Sequence, residues 1–301
     1  MLSDKALLVR LERKAWTPYK YDKGVTNEVE VSHSVNNVGR FNKRLFHKNP
    51  EFAKLANQSA NVYTTHMALT LPWDVNGVNI LPSKLIFDYF QKVKAAIGEY
   101  ETTVRYFDFD VAVKSDEARL GNLFNRKDYP RDKQSFDALH SISYTFYPIP
   151  VSNDFRITIP EEEKKKLEST LISAERQATA EIVNRMNQVL LPVIQQCQKD
   201  KTRWHKSLKT NIQELVPVLK AFNLEDTEYL NEVINNLQTF AEHLDIERLK
   251  HDEDYRGTIK GEANTLVLPT EDEAACQEAE ALSHQSSCEE VDSILNDLKG
   301  L

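Results

Sequence analysis

From Glu161 to Lys199 apolar residues recur at Leu167, Leu171, Ala174, Ala178, Ile182, Met186, Val189, Val193 and Cys197, in steps of three or four. That spacing predicts one long helix with a single buried stripe. At ~1.5 Å of rise per residue it would extend on the order of 55–60 Å, so it needs another long element beside it. Pro160 and the acidic run Glu161-Glu162-Glu163 suit its N-terminus. Pro192 predicts a kink near Gln188, because its ring and missing N–H interrupt the hydrogen-bond ladder.

A second seam runs through Ile86, Phe90, Val93, Ile97, Tyr100, Val104, Phe107 and Val111. It starts after Ser83, a candidate N-cap, and repeats like a heptad. Arg105 to Val113 also alternates like a strand, with Phe107, Phe109, Val111 and Val113 on one face. The longer run decides for a helix from Ser83 to about Lys114. Two such helices predict an antiparallel, coiled-coil-like stalk, closed within one chain or between two copies.

Around the stalk the pattern is mixed. Leu7, Val9 and Leu11 alternate in a short strand within an extended opening stretch, residues 1–35. Asn36 to Tyr63 reads as helical, interrupted at Asn49-Pro50. Met67, Leu69 and Leu71 lead to a hairpin at Asn76-Gly77, a pair that readily takes positive φ. The connector 115–160 carries Ile142, Tyr144 and Phe146 as one strand and Phe155, Ile157 and Ile159 as another. Two further amphipathic helices follow, through Trp204, Leu208, Ile212, Leu215, Leu219 and Phe222, and through Leu230, Val233, Ile234, Leu237, Ala241 and Leu244. The expected fold is therefore mainly α with a small β component. Its parts are a mixed segment at 1–82, a stalk at 83–199 with its tip at 115–160, a helical hairpin at 200–268, and a tail at 269–301.

Composition agrees with this picture. Only 8 glycines and 11 prolines in 301 residues argue against an all-β chain. No apolar run is long enough to span a bilayer, and the charged N-terminus is a poor signal peptide. Three unpaired-looking cysteines give no disulfide framework or zinc knuckle and fit a reducing cytoplasm. Charge is segregated. Glu271, Asp272, Glu273, Glu278, Glu280, Glu289, Glu290, Asp292 and Asp297 face one base, Lys299, so the tail alone carries the whole net charge of −8. A neutral body excludes a generally basic nucleic-acid binder. Two local excesses remain: ten Lys/Arg against five Asp/Glu in residues 1–50, and +4 over residues 201–222.

The tail's Glu, Ala, Ser and Gln predict disorder as far as Ser287. Beyond it Val291, Ile294, Leu295 and Leu298 return to helical spacing, the pattern of a partner-docking helix or of one folding back on its own chain. There is no glycine-rich phosphate loop, no GxGxxG and no HExxH. Cys197 falls in an apolar stripe and His251-Asp252-Glu253-Asp254 reads as a solvated helix end. Trp16, Trp73 and Trp204 read as packing residues. No catalytic, cofactor-binding or metal-ligating set emerges.

The order of short motifs resembles a known family. Leu71-Pro72-Trp73 and Leu81-Pro82 precede one long helix; Asp128-Tyr129-Pro130, Tyr147-Pro148-Ile149-Pro150 and Asp154-Phe155-Arg156 precede the other. The likeness spans roughly residues 5–200. The family is carried by phages and conjugative elements, beside genes for a MoxR-type AAA ATPase and a von Willebrand-A protein, and has no assigned catalytic residues. It implies a mobile-element protein in a host cytoplasm, working beside an ATPase. The expectation is a non-enzymatic adaptor that docks protein partners through its stalk tip and through Val291, Ile294, Leu295 and Leu298. The alternatives are a nucleic-acid accessory protein using Lys43, Arg44, Lys201, Arg203, Trp204 and Lys206, or an acidic-tail inhibitor of a host defence factor. No cofactor and no membrane are expected.

Overall fold

In a computed structural model, residues 2–73, 77–150, 160–199 and 203–269 are described. The chain begins with α1 (Leu2–Lys5), β1 (Ala6–Lys14), β2 (Tyr19–Tyr21), α2 (Lys23–Ser32), β3 (Asn42–Arg44), α3 (Pro50–Ala68), β4 (Leu71–Pro72) and β5 (Val78–Pro82). It continues through α4 (Ile86–Tyr106), α5 (Phe109–Leu120), α6 (Lys133–Asp137) and β6 (Ser141–Tyr147). Last come α7 (Glu161–Cys197), α8 (Ser207–Phe222), α9 (Glu228–His243), α10 (Ile246–His251) and α11 (Glu253–Leu266). The fold is mainly α with a small antiparallel component. The chain divides into a sheet unit, 7–70 with 74–148, and a helical unit, 1–6 with 71–73 and 149–301.

In the sheet unit β1 pairs antiparallel with β6, Val9 opposite Phe146 and Leu11 opposite Tyr144. Period-two alternation turns Ile142, Tyr144 and Phe146 to one face and leaves Ser141, Ser143 and Thr145 exposed on the other. Helix α4 covers the aromatic face. The Tyr89 ring meets Tyr144 at 5.6 Å, and Phe90 meets Phe146 at 5.5 Å. Helix α3 packs on α4, burying Leu55 and Val62 against Tyr89, Val93, Ile97 and Tyr100. Buried His66 shares a 2.9 Å hydrogen bond with the Tyr89 hydroxyl, so the one imidazole in this interface is satisfied.

The expected helix from Ser83 to Lys114 is broken. Phe107 is extended, at φ −62° and ψ 119°, and Asp108 caps a new helix by accepting the Val111 N–H at 3.1 Å. The reason lies in two aromatic rings. Phe107 and Phe109 are both buried, yet two residues apart on one helix they would diverge by about 200°. The break lets both reach Phe136, at 5.0 and 5.3 Å. Val111, assigned to the seam, is 61% exposed. Because α4 packs on α3 while α7 packs on α8 and α11, the helices form no coiled-coil stalk among the described residues.

Other boundaries move for local reasons. Asp22 accepts the Val25 N–H at 3.2 Å and starts α2 inside the stretch expected to be extended. Asn49 caps α3 through the Phe52 N–H at 2.9 Å with Pro50 in the first turn, so Asn49-Pro50 begins a helix rather than interrupting one. Asn37, Phe46 and Lys48 all have positive φ, which a helix over 36–49 could not tolerate. Gly77 takes φ +76°, as the predicted turn requires; Asn76, like the strand expected at Phe155, Ile157 and Ile159, lies outside the described residues.

In the helical unit α7 buries Ala174, Ala178, Ile182, Met186, Leu190 and Val193. Its first turns, from Glu161 to Ser173, bury nothing. The helix runs on through Pro192, which sits on its exposed side, where water can meet the carbonyl that the proline leaves without a donor. Helices α8 and α9 form an antiparallel hairpin: Lys209 Nζ donates to the Leu244 carbonyl at 3.0 Å and Lys220 Nζ to Gln238 at 2.8 Å. Cys197 is half-buried, and burial pushes its thiol up. The stripe's real extent is measurable. Met186→Ala should cost ~2–5 kcal/mol in urea denaturation, whereas Leu167→Ala, in the uncovered first turns, should cost no more than about 1 kcal/mol.

Candidate functional site

The sheet unit holds a pocket of about 490 Å³. Its wall is aromatic, made by Trp16, Tyr19, Phe46 and Phe52, and Tyr100 and His140 line it further. Arg13, Arg44, His47 and Lys48 also line it, and among the described residues no carboxylate does.

The geometry follows from three local devices. First, Phe46 is held in the left-handed region, at φ +53°, a conformation costly for a bulky residue. Its N–H donates to buried Asp116 Oδ2 at 2.5 Å, and the Tyr129 hydroxyl donates to the same oxygen at 2.8 Å. Arg119 Nη2 approaches the other oxygen at 2.7 Å and also donates to the Arg44 carbonyl at 2.7 Å. Burial, then the bond to Asp116, pushes the Tyr129 phenol far above its ordinary range. The turn thus fixed aims the Phe46 ring into a cluster, 5.4 Å from Trp16, 5.3 Å from Phe52 and 5.5 Å from Tyr129.

Second, β2 and β3 pair with Tyr19 opposite Arg44 and Lys20 opposite Lys43. Alternation sends neighbours to opposite faces. Arg44 therefore lines the pocket, while Lys43 turns inward and is 6% exposed. Its ammonium lies 2.6 Å from Asp128 and 3.1 Å from Asp22, and it donates to the Leu123 carbonyl at 3.1 Å. Burial opposes its charge, but the bonds to Asp128 and Asp22 outweigh this and hold its pKa above the usual lysine value. Third, Arg13 at the end of β1 lies over the Tyr63 ring at 4.5 Å, which orients its guanidinium.

His140 shares a 2.8 Å hydrogen bond with the Tyr100 hydroxyl, and burial lowers its pKa to about 4, so the imidazole is neutral near pH 7. Its Nε2 is buried with no hydrogen-bond partner among the described residues. Burial likewise raises the Tyr100 phenol to about 12. The pocket thus combines bases, aromatic rings and neutral polar groups. Such a set is chemically suited to an anion attached to a planar ring: guanidinium and ammonium groups can meet phosphate or carboxylate, and aromatic faces can stack the ring.

The residues singled out for nucleic acid separate. Arg44 lines the pocket, and Lys43 has its donors committed inside the fold. Arg203 and Lys206 are exposed in the helical unit, Trp204 is only 8% exposed there, and Lys201 lies outside the described residues. Val291, Ile294, Leu295 and Leu298 also lie outside them. Sequence reasoning missed Arg13, Lys48 and His140 as site residues; the basic excess of residues 1–50 was the one signal that covered the first two. Among the described residues no group of three or more His, Cys, Asp or Glu could hold a metal ion, and no helix is long and apolar enough to cross a membrane. No protein-family model matches the chain, and comparison with curated proteins and with solved structures finds no significant similarity.

Neighbouring bases should behave oppositely. Lys43→Met leaves Asp22 and Asp128 facing each other unpaired and should cost about 3 kcal/mol of stability. Arg44→Ala should stay within about 0.5 kcal/mol. Urea denaturation of both variants checks the assignment.

Proposed function

We propose that the chain is a nucleic-acid-binding accessory protein whose sheet unit grips an unpaired nucleotide. The observation that carries this reading is the pocket lining: its charged residues, Arg13, Arg44 and Lys48, are all bases, and they stand around Trp16, Tyr19, Phe46 and Phe52. A base stacks on the rings while its phosphates meet the cations. The neutral charge of the body outside the tail agrees with a local contact rather than a basic surface. Tyr19, 53% exposed, is free to serve as a stacking platform.

A second reading, the protein-docking adaptor, is favoured by Phe87 and Phe90. They lie three residues apart on α4 and are 77% and 42% exposed. An AAA ATPase is the partner that the family resemblance implies. Phe87→Glu would then abolish capture of the ATPase without changing nucleic-acid affinity.

The main reading is tested by fluorescence anisotropy with a labelled single-stranded oligonucleotide across a salt series. The Arg44→Ala/Lys48→Ala double variant should lose about tenfold or more in affinity, and its salt slope should shrink by about 1–1.5, as two phosphate contacts require. Tyr19→Ala should cost ~1–3 kcal/mol of binding. Equal affinities for the wild type and all variants would refute the assignment.

A further inference from the structure

A second concavity, of about 480 Å³, lies wholly within the helical unit, between α7 and the loop joining α8 to α9. Its apolar lining includes Ala178, Ile182, Phe222 and Leu230. Two further lining residues are left open to solvent: Ile172 is 53% exposed and Tyr229 62%. This is the part of α7 where the buried stripe gives way to uncovered turns. The opposite wall is built in advance. Buried Asn223 donates to the Asn231 side chain at 3.0 Å and accepts the Thr227 N–H at 3.2 Å, while Asp226 holds φ +54°.

We propose that the groove is the seat of the chain's own C-terminal segment, residues 287–299, docked in cis as an amphipathic helix. Val291, Ile294, Leu295 and Leu298 would present one apolar face to it, the helix-in-groove mode of recognition. Three observations select this occupant. The chain leaves α11 against the same helix that walls the groove: buried Asn187 on α7, five residues beyond Ile182, clamps Leu268, donating to its carbonyl at 2.8 Å and accepting its N–H at 3.2 Å. The α7 wall of the groove runs from Ile182 back to Ile172, so its far end stands about 22 Å along the helix axis from Asn187 at 1.5 Å per residue. A chain the length of residues 270–287 would, as a coil, have a root-mean-square reach of roughly 20–25 Å, which matches that span and gives a high effective concentration. Charge agrees as well. Arg176 lines the groove with no carboxylate in ion-pair contact among the described residues, and the segment begins with Glu289, Glu290 and Asp292. The groove's own carboxylate, Glu225, already faces Lys5 at 3.9 Å.

Hydrogen–deuterium exchange on the full chain tests this. Backbone amides of residues 287–299 should exchange at least about tenfold more slowly than in an Ile294→Asp/Leu298→Asp variant. Tyr229→Asp, at a position exposed enough to leave the fold intact by circular dichroism, should release the segment to the same degree. Protection should not change on dilution. Coil-like exchange in the wild type would overturn the proposal. So would protection that vanishes on dilution, which would place the segment on a second copy, or protection indifferent to Tyr229→Asp, which would place it elsewhere.

Discussion

The sheet unit depends on one carboxylate. Asp116 is 3% exposed and receives the Phe46 N–H, the Tyr129 hydroxyl and the Arg119 guanidinium. A buried carboxylate without partners would cost several kcal/mol, so these bonds must be formed together or not at all. They bind three separated pieces of chain: the turn after β3, the helix α5 and the loop before α6. The result is a left-handed Phe46 whose ring touches Trp16, Phe52, Phe107, Phe109, Tyr129 and Phe136. A phenylalanine in that conformation is unfavourable by itself by about 1–2 kcal/mol. The ring contacts, with the hydrogen bond to Asp116, offset it.

The same segment makes the pocket. Residues 44 to 48 carry Arg44, Phe46 and Lys48 into its lining, and the Arg119 bond to the Arg44 carbonyl fixes where the segment begins. Fold and pocket thus draw on one short stretch. Lys43 holds the fold, Phe46 both holds it and lines the pocket, and Arg44 and Lys48 face the pocket. That division is why a basic cluster in the sequence is a poor guide to binding unless its register is known.

How much was legible depended on whether a signal was local. The buried stretch of α7 from Ala174 to Val193 follows its period closely, because the pattern there is a local one, set by helical spacing along a single uninterrupted helix. Strand β6 was legible for the same reason, its alternation at Ile142, Tyr144 and Phe146 being complete. The break at Phe107-Asp108 was not. The run of heptad-like steps is real in the sequence, and the distant Phe136 is what draws Phe107 and Phe109 to one place. Likewise the turn at Phe46 depends on Asp116, about seventy residues downstream. The pocket was visible only as a surplus of bases near the N-terminus; its rings come from four separate stretches of chain.

Asp116 holds the Phe46 turn, and amide exchange at Phe46 is the measurement that bears on this. In the wild type this amide should exchange only through global unfolding of the sheet unit. In Asp116→Asn, which keeps the shape but loses the charge, its exchange should accelerate by about a hundredfold, matching the ~1.5–3 kcal/mol of a charge-assisted hydrogen bond. Unchanged exchange at Phe46 in that variant would mean that the aromatic cluster alone fixes the turn, and would contradict the account.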